Sequence, residues 1–221
     1  GRPALAPPGP TALQRALADR GDVAVAVLAE PGEVPTVTMA APDEPGLLAT
    51  AAGVLSLQRL DVRAAVVDAI PGPSGPVAAP VFTVVPRPGA TLDAGRLRDD
   101  LRRALDGTLD VRSRLEERES AYARRPGGPR PAPPVVLLVD GESTGTTVVQ
   151  LRAPDGVGVL HRACAALASC GLDVRGARVQ TLGAEVVDSF YVVGPDGGEL
   201  VDPALRERVR AALLGALAPR G

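Results

Sequence analysis

A-P-D-G-V-G-V-L, residues 153–160, decides the reading of this chain, because the chain holds it twice: residues 41–48 read A-P-D-E-P-G-L-L. The second copy begins 112 residues after the first. At the same spacing Leu60-Asp61-Val62-Arg63 returns as Leu172-Asp173-Val174-Arg175, and Ala65 and Val67 return as Ala177 and Val179. Farther along the spacing falls to 108, where Phe82 matches Phe190, and Leu97, Leu101 and Leu105 match Leu205, Val209 and Leu213. One loop four residues longer in the first copy, P-G-P-S-G-P at residues 71–76, accounts for both spacings. Two copies of one supersecondary unit follow.

Outward from the repeat, each copy reads strand, strand, helix, strand, strand, helix. In the first, V-A-V-A-V-L (23–28) and residues 36–41 are apolar strands. Asp43 is placed to cap the helix in which Leu47, Ala51, Val54 and Leu55 share one face. Strands over 61–70 and 77–85 and a Leu97/Leu101/Leu105 helix complete the unit. In the second, strands fall at 135–139, 146–151, 172–179 and 186–193, with helices after Asp155 and from Pro203. The boundaries expected are an N-terminal extension over 1–22 with a short helix capped by Thr11, unit 1 over 23–107, an extended Arg/Glu- and Pro-rich linker over 108–134, and unit 2 over 135–221.

Without its first strand each unit is βαββα, the ferredoxin-like α+β order βαββαβ short of its closing strand. Residues 135–139 are positioned in the chain to close the first unit's sheet. Residues 23–28 would then cross to close the second, and the units would be interlocked by exchanged strands.

Composition narrows the function. Hydrophobic residues make up 45% of the 221 and aromatics 2% with no Trp, so the core must be built from Ala, Val and Leu. A net charge of −2 and only two Phe and two Tyr leave neither the field nor the stacking surface of a nucleic-acid binder. No apolar run reaches the roughly 20 residues of a membrane span, and no signal peptide opens the chain. Cys164 and Cys170 are expected as reduced packing residues of a cytoplasmic protein. Gly1 at the start suggests a piece of a longer chain.

The repeated loop carries the chemistry. A helix start presents unpaired N–H groups and partial positive charge to a carboxylate or phosphate. Gly46 and Gly158 allow close approach, and Asp43 and Asp155 offer an anion to an ammonium group. Together these describe a site for a free α-amino acid. The candidate effector-binding residues are Asp155, Gly156, Val157, Gly158, Val159 and Leu160 in the second copy, and Asp43, Glu44, Pro45, Gly46, Leu47 and Leu48 in the first. No catalytic constellation, metal cluster or phosphate-cradling loop is present. His161 is expected as an exposed helix residue.

Tandem βαββαβ units with D-x-P-G-L-L opening a helix resemble paired ACT domains, small amino-acid-sensing modules. The second copy is more particular. Thr181, Gly183, Val186, Asp188, Phe190, Tyr191 and Val192 form a T-x-G-x-x-V-x-D-x-F-Y-V pattern similar to the C-terminal ACT repeat of the bifunctional uridylyltransferase/uridylyl-removing enzymes that modify the PII nitrogen-signalling protein. The resemblance implies a regulatory module that binds glutamine and reports to catalytic domains upstream in the same chain. It implies PII as a partner of the whole enzyme, uridylyl or adenylyl transfer, magnesium in the catalytic half and no cofactor here, and a possible homodimer. Where the family shows Asp-Arg-Pro-Gly this chain has Asp155-Gly156-Val157-Gly158, and Asp61 and Asp173 stand where many ACT domains carry Asn. The first copy lacks the T-x-G-x-x-V-x-D pattern, which makes the second the better effector site. The competing reading is a ligand-free scaffold that only docks on a catalytic domain.

Overall fold

The computed structural model describes residues 9–122, 132–140 and 145–218. Residues 1–8 of the expected extension and 123–131 of the expected linker lie outside them. The elements in order are α1 (Ala12–Ala18), β1 (Ala24–Leu28), β2 (Thr36–Pro42), α2 (Leu47–Leu57), β3 (Leu60–Gly72), β4 (Gly75–Pro86), α3 (Ala94–Leu105) and α4 (Val111–Tyr122), then β5 (Val135–Asp140), β6 (Thr147–Pro154), α5 (Val159–Ser169), β7 (Asp173–Leu182), β8 (Glu185–Val193) and α6 (Pro203–Leu217). The fold is α+β, with all strands in one antiparallel eight-stranded sheet ordered β1-β2-β4-β3-β7-β8-β6-β5.

The exchange of strands does not occur. β1 pairs with β2 and β5 with β6, each strand closing its own unit at the edge position where a ferredoxin-like fold puts its last strand. The reason is local. A hairpin across residues 29–35 brings β1 onto β2 with a short closed loop, whereas the crossed pairing would close a loop of more than a hundred residues for the same ladder.

The units meet edge to edge through β3 and β7, where Ala64, Ala65 and Val66 pair with Arg178, Ala177 and Gly176. Ala65 and Ala177 are matching positions of the repeat, so this register is that of a pseudo-twofold axis between them. Each Ala is flanked on its other side by the matching Phe, Phe82 beside Ala65 and Phe190 beside Ala177. Both Phe are fully buried, and the small Ala pair between them leaves room for α2 and α5 to pack over the join. One core runs from Val37 through both Phe to Val209 and Leu213 of α6. The opposite face of the first unit carries a second cluster in which Leu17 and Ala18 of α1 cover Ala40 and Ala79. Thr11 caps α1 in a capping box with Gln14, whose buried amide also donates to the Ala79 carbonyl at 2.7 Å.

The longer loop at 71–76 is a longer hairpin. Pro71 pairs with Pro76 and Gly72 with Gly75, so the four extra residues add two positions to each strand. The expected linker holds the helix α4, which is not extended and not wholly in water. Val111 and Leu115 are buried in the shared core, and Arg118 Nη1 donates to the Ser56 and Leu57 carbonyls at 3.0 and 2.9 Å, at the C-terminus of α2. Cationic donors suit the carbonyls at a helix C-terminus.

Candidate functional site

The two motif loops do not form one site. They line two separate clefts related by the repeat, both at the junction of the units. In the first cleft, of about 90 Å³, Gly156, Val157, Gly158, Val159 and Leu160 face the start of β3 at Leu60, Asp61 and Val62. In the second, of about 300 Å³, Asp43, Glu44, Pro45, Gly46, Leu47 and Leu48 face the start of β7 at Leu172, Asp173 and Val174. Each loop therefore looks at the other unit.

Neither helix start is capped by a side chain. The residues before α2 and α5 are Gly46 and Gly158, at φ of 90° and 72°, a left-handed conformation that glycine takes without strain. Asp43 and Asp155 stand three residues earlier and are held through their backbone, Asp43 N–H to Pro76 and Asp155 N–H to Ala184. The expected Asp43 cap is thus replaced by a glycine turn, in which Gly46 takes the cap position in a left-handed conformation and no side chain bonds the helix start. The first-turn N–H groups of α5 are left for another acceptor.

Asp155 is exposed and does not line its cleft. The acid that does is Asp188 of β8. It is 1% exposed, and neither carboxylate oxygen accepts a hydrogen bond among the described residues. Burial pushes its carboxyl up to about 7; the Gln180 amide, close but off hydrogen-bonding geometry, draws it partly back, and the charge of Asp155 raises it further. Such a group is costly to bury without a donor to meet it. Three arginines stand around the same cleft: Arg59, Arg87, bound to Asp61 at 2.7 Å, and Arg118.

α4 closes one side. A side chain at Gly158 would meet Leu115, and Glu119 bonds Arg162 of α5 at 2.8 Å. His161 is half-buried where an exposed residue was expected. Its Nδ1–H donates to the Ala49 carbonyl of α2 at 2.8 Å, because α5 turns this face onto α2 and not to water. Burial lowers its basicity, partly offset by that carbonyl. Cys164 is buried, its thiol pushed up by desolvation, and both cysteines are free. In the second cleft, burial and the neighbouring Asp173 raise Asp43, with Arg175 opposing.

Sequence reasoning missed Asp188, Arg59 and Arg118 as site residues. A signal for Asp188 existed: β8 alternates Val186, Asp188, Phe190, Val192 inward, and an acid in an apolar register is out of place. Arg118 could not be found this way, since only packing brings α4 to the cleft.

The chain is 44% identical over 165 residues, 73% of its length, to a "Bifunctional uridylyltransferase/uridylyl-removing enzyme" of Streptomyces coelicolor. Proteins of the same name from Gluconobacter oxydans and Mycobacterium tuberculosis are 32% and 33% identical over 83% and 97% of this chain. The chain spans 20% of the length of the first two relatives and 27% of the third. No family model matches. A solved structure of an unknown protein from Galdieria sulphuraria aligns over 82% of this chain at 17% identity, with a TM-score of 0.27, too low to bear on the fold. Among the described residues no helix is long and apolar enough to cross a membrane, and no group of three or more His, Cys, Asp or Glu could hold a metal ion.

Proposed function

We propose that the chain is the amino-acid-sensing regulatory part of a cytoplasmic PII-modifying uridylyltransferase/uridylyl-removing enzyme, or of an adenylylating relative, built as tandem ACT-like units. Glutamine is the effector. It binds the cleft of the second motif, its carboxylate on the uncapped start of α5 and its ammonium on Asp188. The observation that carries this reading is the pairing, in one cleft, of an uncapped helix start with a buried carboxylate that lacks a donor. A zwitterion supplies both missing halves.

The cleft is walled by both units and by α4, so a ligand that fills it favours one arrangement of the three. A coupling of about 1–3 kcal/mol is ordinary for such a switch. The catalytic domains upstream, with PII as their substrate, would read that arrangement.

Thermal-shift screening of the twenty amino acids, followed by calorimetry with L-glutamine, tests the proposal. Glutamine should raise the unfolding midpoint and give a saturable heat. Asp188→Asn should weaken binding more than Asp43→Ala, because only Asp188 lines this cleft. A folded chain with no heat at millimolar glutamine would leave the scaffold reading in its place.

A further inference from the structure

The two clefts are built from matching positions, so their differences show what one has that the other lacks. Ala52, Ser56, Leu60 and Asp61 of the first correspond at 112 residues to Cys164, Ala168, Leu172 and Asp173 of the second. Two of the differences set a charge in the first cleft where its twin has none. Arg59 in the first cleft stands where Gly171 stands in the second, and Asp188 in the first where Pro80 stands in the second.

Arg59 has a φ of 60°, the one described residue other than glycine with a positive φ. Its counterpart Gly171, at 77°, shows what this helix-to-strand turn demands of the backbone. A side chain there is held at a cost, and such residues cluster where a ligand is gripped. Among the described residues the Arg59 guanidinium makes no ion pair or side-chain hydrogen bond. Arg87 is bound to Asp61 and Arg118 to the end of α2. Arg59 is the cation left for a carboxylate, and Asp188 is the buried anion left for an ammonium.

We propose that Arg59 and Asp188 are the specificity determinants that make the first cleft, and not its twin, the amino-acid site: Arg59 fixes the carboxylate, Asp188 the ammonium, and each chain binds one ligand. This rests on the sensing function proposed above. Asp188 must be ionised to do so. The groups facing it are Asp155 on the loop before α5, Cys164 and His161 on α5, Arg118 on α4, and Arg59 and the Asp61–Arg87 pair from the first unit. Affinity should therefore fall as the pH drops below about 7.

Calorimetry on the full chain tests this with three ligands: L-glutamine, γ-aminobutyramide, which lacks the carboxylate, and glutaramate, which lacks the amine. The wild type should bind one glutamine per chain and each analogue about 10–100-fold more weakly, the range of one charge-assisted hydrogen bond. Arg59→Gly should lose a similar factor for glutamine and nothing for γ-aminobutyramide, with an unfolding midpoint no lower than wild type. Asp188→Asn should lose it for glutamine and not for glutaramate, and should abolish the pH dependence. Two glutamines per chain, an unchanged affinity in both variants, or an equal loss for all three ligands would overturn the assignment while the sensing function stands. No heat from glutamine with the wild type would overturn both.

Discussion

Asp188 shows how far one side chain can be set by its surroundings. An acid in the inward register of β8 keeps its carboxylate away from water and from donors, and the folded chain holds the proton to about pH 7. The unfolded chain releases it near 4. The folded state therefore binds the extra proton between those values, and that stabilisation is present at low pH and lost as pH rises through about 7. Without ligand, Asp188→Asn should leave stability near pH 4 almost unchanged and raise it at pH 8, by on the order of 2–4 kcal/mol. Denaturant titrations of both proteins at the two pH values check this, and an Asn variant whose stability differs from wild type by the same amount at both would refute it. Phe190 is the opposite case, a residue with no chemistry and a large packing role. Phe190→Ala removes the fully buried ring beside Ala177, and a loss of about 3–5 kcal/mol is expected in the same titration. The inward place of Phe190 was legible from its match to Phe82. That Asp188 faces a cleft was not, because alternation shows which face a residue takes and not what lies across from it.

At the scale of elements, α4 separates what pattern reveals from what packing reveals. Its sequence, V-R-S-R-L-E-E-R-E-S-A-Y, carries too few apolar residues to announce a core-facing stripe. Val111 and Leu115 suffice because α2 and α5 leave a groove for them, and Gly53 of α2 forms its floor. A methyl group at Gly53 would overlap Val111 Cγ1 and come within 2.9 Å of His161 Nδ1. Gly→Ala inside a helix ordinarily adds about 1 kcal/mol of stability. Here the clash wins, and Gly53→Ala should lose about 1–3 kcal/mol. Val111→Ala in the Gly53→Ala background should recover part of it, a coupling that a double-mutant cycle measures. Additive losses would mean that α4 does not seat on Gly53. The hairpins were easier. The spacing change from 112 to 108 located the extra residues at 71–76. Their pairing as strand was hidden by three prolines, which are tolerated at the far end of a hairpin where little of the ladder depends on their missing N–H.

For the whole molecule, the continuous sheet and the core shared between units make one cooperative body. A single unfolding transition is expected, with calorimetric and van't Hoff enthalpies in agreement. Two resolved transitions would show that the β3–β7 seam does not couple the halves. The order of elements apart from α4, the repeat, the inward faces of the strands and the helix-opening loops were determined by the sequence alone. Each depends on periodicity and spacing along the chain, which local sterics convert directly into strands and helices. Which strand closes each sheet, how the units join and what surrounds each loop were decided only in three dimensions. β1 and β5 could satisfy either edge by pattern, and loop-closure entropy selects the near one. The seam at Ala65 and Ala177 and the seat of α4 depend on complementary shapes between distant segments, and shape is a property of the assembled surface, not of the order of residues.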